Sequence, residues 1–316
     1  SGVHLYKADK EMQERTDVAT GLETYYPTTS SAYYAPRFDH DPATNESLGL
    51  LIEEARTNLV TASETFNGFS EARVSRNFTA TTSPDGTLNA IEVVEDTNTN
   101  SHSLAVNLGI TSGATCSLSV FMKQGQGTRH GILRSNNDGA NSYVVADLTN
   151  GVISEVGSDV STSDIQNYGN GWYRVSFTYT NPGDTASGYI VALSSSTTPS
   201  ASLPSYTGDG SSSVFFWGAQ FEEGAFPTSY IPTSGSTVAR SADVCDIDTT
   251  AFAFNFTEFS WFAEAQTKEI GESFVHILRG GAATNERFLI QFDSDAAVRA
   301  LVRHNGVNKF DQDIGS

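Results

Sequence analysis

Short runs of alternating apolar and polar residues constrain this chain more than any other feature. The clearest run is 172–179, whose apolar positions are Tyr173, Val175, Phe177 and Tyr179. The same alternation is found at Leu104, Val106 and Leu108, and at Cys116, Leu118, Val120 and Met122. Because successive side chains of a strand point to opposite faces, each run buries one face, and the pattern predicts β-sheets.

Glycine-containing turn signals separate these runs at the spacing of an antiparallel sandwich. They are Asn137-Asp138-Gly139, Thr149-Asn150-Gly151 and Gly169-Asn170-Gly171. Helical candidates are limited to two short segments, 9–18 and 50–58. The predicted fold is therefore all-β, with an antiparallel jelly-roll β-sandwich over 59–240. Residues 1–58 are expected to form an extended connector that serves oligomerisation or docking.

A new pattern begins after Arg240. Apolar runs occur at 252–256, 259–265, 274–278, 288–292 and 298–302. About five strands are too few for a closed concanavalin-type sandwich. Residues 241–316 are therefore predicted to form a partial concanavalin A-like lectin domain, which either stops early or is completed by partner subunits.

The charge balance argues against several partners. The chain has 18 Lys and Arg residues and 37 Asp and Glu residues, giving a formal net charge of −19. This charge repels phosphate backbones and anionic lipid, so nucleic acid is not an expected partner. The sequence has no apolar run of membrane-spanning length, so membrane insertion is not expected. The same acidity keeps crowded copies soluble and leaves carboxylates that can bind calcium.

Paired carboxylates are the strongest catalytic candidates, because glycosidases place two acids about a scissile bond. They are Glu53, Glu54, Glu222 and Glu223. Members of each pair are adjacent, so on a strand they point to opposite faces. A Glu54–Glu222 cross-pair is left open. No other catalytic or metal motif is present, and the prediction is a protein without enzymatic activity, whose glutamates lie at the surface or pair with Arg37, Arg56 or Arg240.

Two segments carry a family resemblance. The first is PRFDHDPAT (36–44) leading into GLLIEEARTNL (49–59), and the second is WGAQFEEGAFPTSYIPT (217–233). Over residues 36–245 the chain resembles a family of phage and prophage tail, fibre and other virion structural proteins, in which these segments flank a carbohydrate-binding-module-like jelly roll. NGWYR (170–174) is a third match.

The resemblance implies a virion structural protein on the tail or capsid surface, as a tail fibre, baseplate appendage or capsid fibre. The implied partners are other virion proteins, further copies of this chain in a homotrimer, and host-surface polysaccharide. Two alternatives stay open. One is the binding module of a glycan depolymerase, and the other is a purely architectural capsid decoration or adaptor protein.

The flanking segments also have a direct physical interpretation. The first and last strands of a jelly roll often pair, so 57–59 and 217–220 are expected side by side. Pro227 and Pro232 remove backbone donors, so 228–231 is expected to cross the surface as an extended strap. Its apolar anchors would be Phe226, Tyr230 and Ile231.

Calcium is the one cofactor that the resemblance suggests, because such jelly rolls often bind an ion between the first and last strands. Four residues offer oxygens there: Asn58, Glu64, Gln220 and Glu222. A second oxygen-rich turn contains Asp39, Asp41, Asn45 and Glu46, without the glycine of an EF-hand loop. Hydrogen-bonded turns are the rival interpretation of both sets.

Sugar binding requires an exposed aromatic ring beside polar groups, because a flat ring stacks on a pyranose. Tyr168, Trp172 and Tyr206 lie near predicted loops and are the glycan-binding candidates. Packing in the core is the rival role, and it is favoured for Trp172 and Trp217.

Overall fold

The structure is a computed structural model that describes residues 37–41, 44, 46–135, 141–182, 188–243, 275–283, 286–292 and 298–315. The chain divides into two compact units, Ser1–Cys245 and Asp246–Ser316. The described residues contain strands and no helix, so the all-β prediction is confirmed. Consequently none of these residues belongs to a helix long and apolar enough to cross a membrane.

The described strands of the first unit follow in chain order. They are β1 (Phe38–His40), β2 (Ser47–Leu50), β3 (Arg56–Asn58), β4 (Ser70–Ala72), β5 (Val74–Thr81), β6 (Ala90–Glu95), β7 (Thr99–Asn100), β8 (His102–Asn107), β9 (Thr115–Gln124), β10 (His130–Ser135), β11 (Tyr143–Asp147), β12 (Val152–Val156), β13 (Val160–Asn167), β14 (Trp172–Thr180), β15 (Gly188–Ser194), β16 (Tyr206–Thr207), β17 (Ser213–Glu223) and β18 (Val238–Arg240).

Two six-stranded antiparallel sheets form the sandwich. The front sheet has the order β13-β14-β9-β17-β6-β5, and the back sheet has the order β12-β11-β10-β15-β8-β4. The chain crosses repeatedly between them, for example from β8 to β9 and from β9 to β10. This alternation of consecutive strands between two sheets is the predicted jelly-roll arrangement. Three separate two-stranded antiparallel sheets, β1-β2, β3-β18 and β7-β16, complete the described sheets of the first unit.

The alternation in β14 is confirmed by burial. Val175, Phe177 and Tyr179 lie in the core between the sheets. The opposite face of β14 is also buried, although its side chains are polar: Arg174 is 8% exposed and Thr178 is 2% exposed. Strand β14 is therefore covered on both faces, and the polar side chains of its outer face require hydrogen-bonding partners.

The prediction of a helix at 50–58 is wrong. Leu50 ends β2, residues 51–55 are irregular, and β3 follows. Arg56, Thr57 and Asn58 pair with Arg240, Ala239 and Val238 respectively. This distant pairing satisfies backbone groups that a helix would have satisfied locally, so tertiary contacts override the local pattern. The other helical candidate, 9–18, lies outside the described residues.

The second unit shows a four-stranded antiparallel sheet in its described part. Its strands, adjacent in chain order, are β19 (Val275–Ala283), β20 (Glu286–Phe292), β21 (Val298–His304) and β22 (Val307–Gly315). The runs at 274–278, 288–292 and 298–302 correspond to β19, β20 and β21. The runs at 252–256 and 259–265 lie outside the described residues. The concanavalin-like identity of this unit stays a prediction.

Gly218 provides a test of the close packing on the front sheet. It has a φ of +65° at a bulge in β17, and a Cβ there would lie 2.9 Å from the Phe121 ring. Gly235 has a φ of +90° with no atom within 4 Å of such a Cβ. Gly235→Ala should cost about 1 kcal/mol in backbone strain. Gly218→Ala should cost a further ~1–3 kcal/mol from overpacking. Urea unfolding of both variants measures this difference, and equal losses would contradict the packing.

Candidate functional site

An ion cluster connects four segments that are distant in sequence. The Arg37 guanidinium lies 2.7 Å from a Glu53 carboxylate oxygen, and Arg240 contacts the same carboxylate. Arg37 also pairs with Asp243. The backbone N–H of Ser229 donates to the other Glu53 oxygen at 2.7 Å. Two cations and two anions thus balance one another where the start and end of the sandwich meet.

The ion cluster determines the charge state of Glu53. Burial by itself would raise the pKa of Glu53, but the positive charges of Arg240 and Arg37 and the Ser229 N–H outweigh it and hold that pKa below its ordinary value. The sequence left surface exposure and pairing with Arg37, Arg56 or Arg240 open for the four glutamates. The structure pairs Glu53 with Arg37 and Arg240, and Glu54 with Arg56.

Asn58 fastens β17 and the strap to the start of the sandwich. Its amide nitrogen donates to the carbonyls of Ala219 (3.1 Å) and Ile231 (2.9 Å). Its oxygen accepts from the N–H groups of Val60 and Phe221, both at 3.1 Å. The expected proximity of 57–59 and 217–220 is confirmed. The two segments are joined by the Asn58 side chain and by a backbone hydrogen bond between Leu59 and Phe221, whereas the strand that pairs with β3 is β18.

Gln220 and Glu222 satisfy the strap's backbone. The Gln220 oxygen accepts from the Ile231 N–H at 2.6 Å, and its nitrogen donates to Glu222 at 2.9 Å. Glu222 also accepts from the N–H and hydroxyl of Thr228, at 2.9 and 2.5 Å. Burial raises the pKa of Glu222 despite these donors. Residues 227–232 contain no strand, so the predicted strap is confirmed, with two of its three anchors: Tyr230 and Ile231 are fully buried, whereas Phe226 is half-buried.

These hydrogen bonds engage the residues of the expected calcium set within the protein, and calcium binding there stays a prediction. Asn58 has both oxygen and nitrogen engaged by protein groups, and Gln220 turns its nitrogen toward Glu222. Glu64 accepts from Asn89 at 3.0 Å and from the hydroxyl of the strap's Tyr230 at 3.5 Å. Within the described ranges, no three His, Cys, Asp or Glu side chains are arranged to hold a metal. All four residues thus contact the strap.

The second calcium candidate is a hydrogen-bonded turn in its described part. The Asp41 carboxylate accepts from the Thr44 N–H at 2.9 Å, and the Asp41 N–H donates to the Glu46 carbonyl at 2.9 Å. The Asp39 carboxylate accepts from the N–H of His40 at 3.0 Å. Asn45 lies outside the described residues. These contacts support the interpretation of this segment as a hydrogen-bonded turn.

Glu222 and Glu223, two of the candidate catalytic acids, do not face one another in the structure. Glu222 is buried and Glu223 is exposed, as expected for neighbours on one strand. Glu223 accepts from the Thr111 N–H at 3.2 Å. A shallow hollow beside β3 is lined by Ala55, Arg56, Thr57, Leu59, Gly109, Glu223, Ala239 and Arg240. It therefore contains one carboxylate, whereas glycoside hydrolysis uses two.

An aromatic cluster fills the space between the front sheet and the strap. Its buried members are Ala90, Phe121, Trp172, Trp217 and Tyr230. The Trp217 and Tyr230 rings lie 4.7 Å apart, and the Trp172 indole N–H donates to the Thr82 carbonyl at 3.0 Å. Trp172 has no exposed surface, so the expectation that it binds glycan is wrong. It packs in the core because residues from β6, β9, β17 and the strap enclose it.

Tyr168 and Phe215 are half-buried rings at the edge of this cluster. The Tyr168 ring packs edge-on against Phe121, with centroids 5.0 Å apart. Tyr168 precedes the turn Gly169-Asn170-Gly171, in which all three residues have positive φ. This left-handed backbone explains the glycines of the turn.

Polar side chains continue from Phe215 across the front sheet. Strand register places Lys123 and Glu92 on either side of Phe215, with Asn77 beyond Glu92. Glu92 accepts from Asn77 at 3.0 Å. Burial lowers the pKa of Lys123. We call Tyr168, Lys123, Phe215, Glu92 and Asn77 the aromatic rim.

The sequence contained a signal for only part of the rim. Tyr168 was a candidate, but Lys123, Phe215, Glu92 and Asn77 were not. Phe215 lies in an unbroken apolar run, Val214–Trp217, that hides which ring reaches the surface. Strand pairing, which brings the four together, has no local sequence signature.

Tyr206 lies in a separate polar cluster. Its hydroxyl donates to the buried Glu95 at 2.8 Å, and the Arg129 guanidinium lies 5.3 Å from its ring centroid. The His102 ring centroid is 4.6 Å away. Tyr206 is thus engaged within the protein and does not share a site with Trp172. Its role in sugar binding, like that of Tyr168, stays a prediction.

Comparison with known proteins gives distant structural likenesses. No family model matches the chain, and no curated protein matches it. One similar structure is the CBM22-1–GH10 modules of an endo-1,4-β-D-xylanase from Clostridium thermocellum, complexed with xylohexaose. The match has a TM-score of 0.32 and 15% identity, and covers 55% of this chain and 29% of that one.

A second is the CBM22-1–CBM22-2 tandem domain of a xylanase from Paenibacillus barcinonensis. Here the TM-score is 0.31 and the identity 11%, with coverage of 79% of this chain and 65% of that one. This chain thus spans less than two thirds of either matched chain. At these TM-scores, function must be argued from the chain's own residues.

The ion cluster predicts an acid-sensitive contribution to stability. Because the folded-state pKa of Glu53 lies below the ordinary value of 4.5, this contribution is present above pH 4.5 and is lost as the pH falls through the folded value. Glu53→Gln should lower the free energy of unfolding at pH 7 by about 3 kcal/mol, since it leaves buried arginines under-compensated. The gap should shrink below pH 4.5. Urea unfolding followed by tryptophan fluorescence measures it.

Glu71→Gln is the matched control. Glu71 pairs with Arg76 at 2.6 Å, but its side chain is 41% exposed. Its loss should cost at most about 1 kcal/mol, because exposed ion pairs contribute little. A Glu53→Gln deficit that stays constant from pH 7 to pH 3 would contradict the account.

Proposed function

We propose that this chain is a non-enzymatic virion structural protein of a phage that presents its β-sandwich for attachment to host-surface glycan. The observation that carries the proposal is the aromatic rim, in which two half-buried rings adjoin polar side chains on a rigid sheet. The virion role is supported by the resemblance of residues 36–44, 49–59 and 217–233 to phage structural proteins.

The rim has the chemistry that sugar binding requires. The rings of Tyr168 and Phe215 offer apolar surface for a pyranose face. Lys123 donates hydrogen bonds, while Glu92 and Asn77 offer acceptors to sugar hydroxyls. Glu92 is already oriented by the Ser213 hydroxyl at 2.7 Å and by Asn77 at 3.0 Å. Pre-oriented groups lose little conformational entropy on binding, which favours affinity.

The resembling segments support a scaffold role through what they build. Arg37, Glu53 and Asn58 come from the first segment, while Gln220 and Glu222 come from the second. Each of them contributes a hydrogen bond or ion pair that fastens the sandwich. These glutamates are therefore occupied in architecture, which supports binding in preference to catalysis.

The acidic surface agrees with display in many copies. A net charge of −19 disfavours association between crowded neighbours outside specific contacts. We place the chain at the tail or capsid surface, as a homotrimer with other virion proteins. Trimer formation multiplies weak glycan contacts through effective concentration.

Removing the rim's rings should weaken attachment. Tyr168→Ala and Phe215→Ala should each lower affinity for purified host-surface polysaccharide about 3- to 10-fold, because each loses a stacking contact. Binding to immobilised polysaccharide by surface plasmon resonance measures this loss. Val152→Ser is the control, because Val152 is 47% exposed on the back sheet.

Other outcomes of these experiments would favour a different site or a different function. Unchanged binding by both rim variants contradicts the rim assignment. Absence of any glycan binding, with immunogold labelling on the capsid or neck, favours a purely architectural role. Release of new reducing ends by the intact chain would contradict the non-enzymatic proposal.

A further inference from the structure

Lys123 is a half-buried cation without a counter-ion in the aromatic rim. The sequence contains no other lysine between Arg37 and Asp243. Among the described residues, no side chain forms a hydrogen bond or ion pair with the Lys123 ammonium. Burial lowers the pKa of Lys123, and no neighbouring carboxylate raises it. The ammonium has therefore lost part of its hydration without gaining a protein partner.

The charged end of Lys123 is open to a ligand. The residue is half-buried, as are Tyr168 and Phe215 in the same rim. Its nitrogen is not among the atoms that the protein encloses without a hydrogen bond. A Cβ at Gly171 would lie 3.6 Å from the Lys123 Cε atom, so the aliphatic stem packs against the 169–171 turn. The stem is thus covered, while the ammonium reaches solvent.

Strand register places aromatic residues on both sides of Lys123. Its cross-strand partners are Trp172 on β14 and Phe215 on β17. Phe121 lies two residues before Lys123 on the same face of β9, and it supports the Tyr168 ring. Trp172 and Phe121 are fully buried. The rings that offer surface beside the ammonium are therefore those of Phe215 and Tyr168.

The carboxylate in the same row of the sheet, Glu92, is engaged elsewhere. Phe215 lies between Glu92 and Lys123, and the two strand steps that separate them span about 10 Å. Glu92 accepts from the Ser213 hydroxyl at 2.7 Å and from the Asn77 side chain at 3.0 Å. The rim thus has a positive end at Lys123 and a negative end at Glu92, with the Phe215 ring between them.

We propose that the rim selects a sugar that carries a carboxylate, with the pyranose face on Phe215 and the carboxylate on Lys123. The inference rests on the proposed function for the position of the sugar, and it adds the sugar's chemical class. A carboxylate supplies the charge-assisted hydrogen bond that the protein does not provide to Lys123. Ring hydroxyls then face Glu92, because the reverse orientation would bring two carboxylates together.

The acidity of the chain is compatible with this ligand. The formal net charge is −19, but charges more than about 8 Å apart are largely screened at physiological salt. A carboxylate carries a single negative charge, whereas a phosphate monoester carries about −1.5 to −2. Glu92 therefore repels a uronic acid less than a phosphorylated sugar. A neutral sugar would leave the Lys123 ammonium without a counter-ion.

The test compares two glycosides that differ in one group. Methyl β-D-glucuronoside carries a carboxylate where methyl β-D-glucoside carries a hydroxymethyl group. The intact chain is titrated with each, and binding is followed through the backbone N–H signals of Lys123 and Phe215 by NMR. The glucuronoside should bind about 5- to 10-fold more tightly, because only its carboxylate pairs with the ammonium. Acetate should bind at least 10-fold more weakly than the glucuronoside, because it has no ring to stack.

Lys123→Met separates charge from shape, since methionine keeps an unbranched stem. In this variant the two glycosides should bind with equal affinity, whereas Lys123→Arg should retain the preference for the glucuronoside. Arg73→Gln is the control for net charge, because it removes one positive charge at an exposed position between β4 and β5, and the preference should persist. Phe215→Ala should weaken both glycosides, because both stack on its ring.

The proposal would be overturned if the glucuronoside caused no shift, or bound no more tightly than the glucoside or acetate. Retention of the preference in Lys123→Met would also overturn it. The proposed function is judged separately, by polysaccharide binding of Tyr168→Ala and Phe215→Ala. If these variants weaken polysaccharide binding while the two glycosides bind equally well, the glycan site stands and only its preference for a carboxylate is lost.

Discussion

The hydrogen bonds that Asn58, Gln220 and Glu222 make with the strap are the interaction on which the rest of the first unit depends. A segment flanked by Pro227 and Pro232 is unsuited to a central strand, so its backbone groups need other partners. Side chains supply them at Thr228 and Ile231. Each buried backbone group left unsatisfied would cost about 1–3 kcal/mol, so this network holds the strap in one position.

A fixed strap has consequences across the front sheet. It covers the polar face of β14, where the Arg174 guanidinium donates to the Thr228 carbonyl at 2.6 Å. It also places Tyr230 against Trp217 and completes the aromatic cluster. The half-buried rings of the rim rest on that cluster, so the geometry of the proposed glycan site follows from the strap. The ion cluster acts on the same segment through Ser229.

Local pattern predicted the strands and the strap, because alternation and proline act within a few residues. The sequence named Arg37, Arg56 and Arg240 as possible partners of the glutamates, but it did not indicate which glutamate meets which arginine. Core packing was the favoured role of Trp172 and is confirmed, but the residues that pack in its cluster, Ala90, Trp217 and Tyr230, are far away in sequence and had no local signal. The hydrogen-bond partners of the calcium candidates had no signal for a similar reason: oxygen-bearing side chains near both ends of the sandwich look like ligands until their partners are known.

The front sheet offers two half-buried rings near Lys123 and Glu92. This arrangement has one carboxylate, whereas glycoside hydrolysis uses two. Phe215, Lys123 and Glu92 lie on strands of a large sheet, which is a more rigid support than a loop.

Native-state hydrogen exchange of the strap tests the central claim most directly. The N–H groups of Thr228 and Ile231 are bonded to Glu222 and Gln220, so they should exchange as slowly as those of Val120 in β9 and Val175 in β14. Exchange at the rate of the exposed turn around Asn170 would show that the strap opens independently. That result would contradict an account in which buried side-chain hydrogen bonds fix the strap and, through it, the front face.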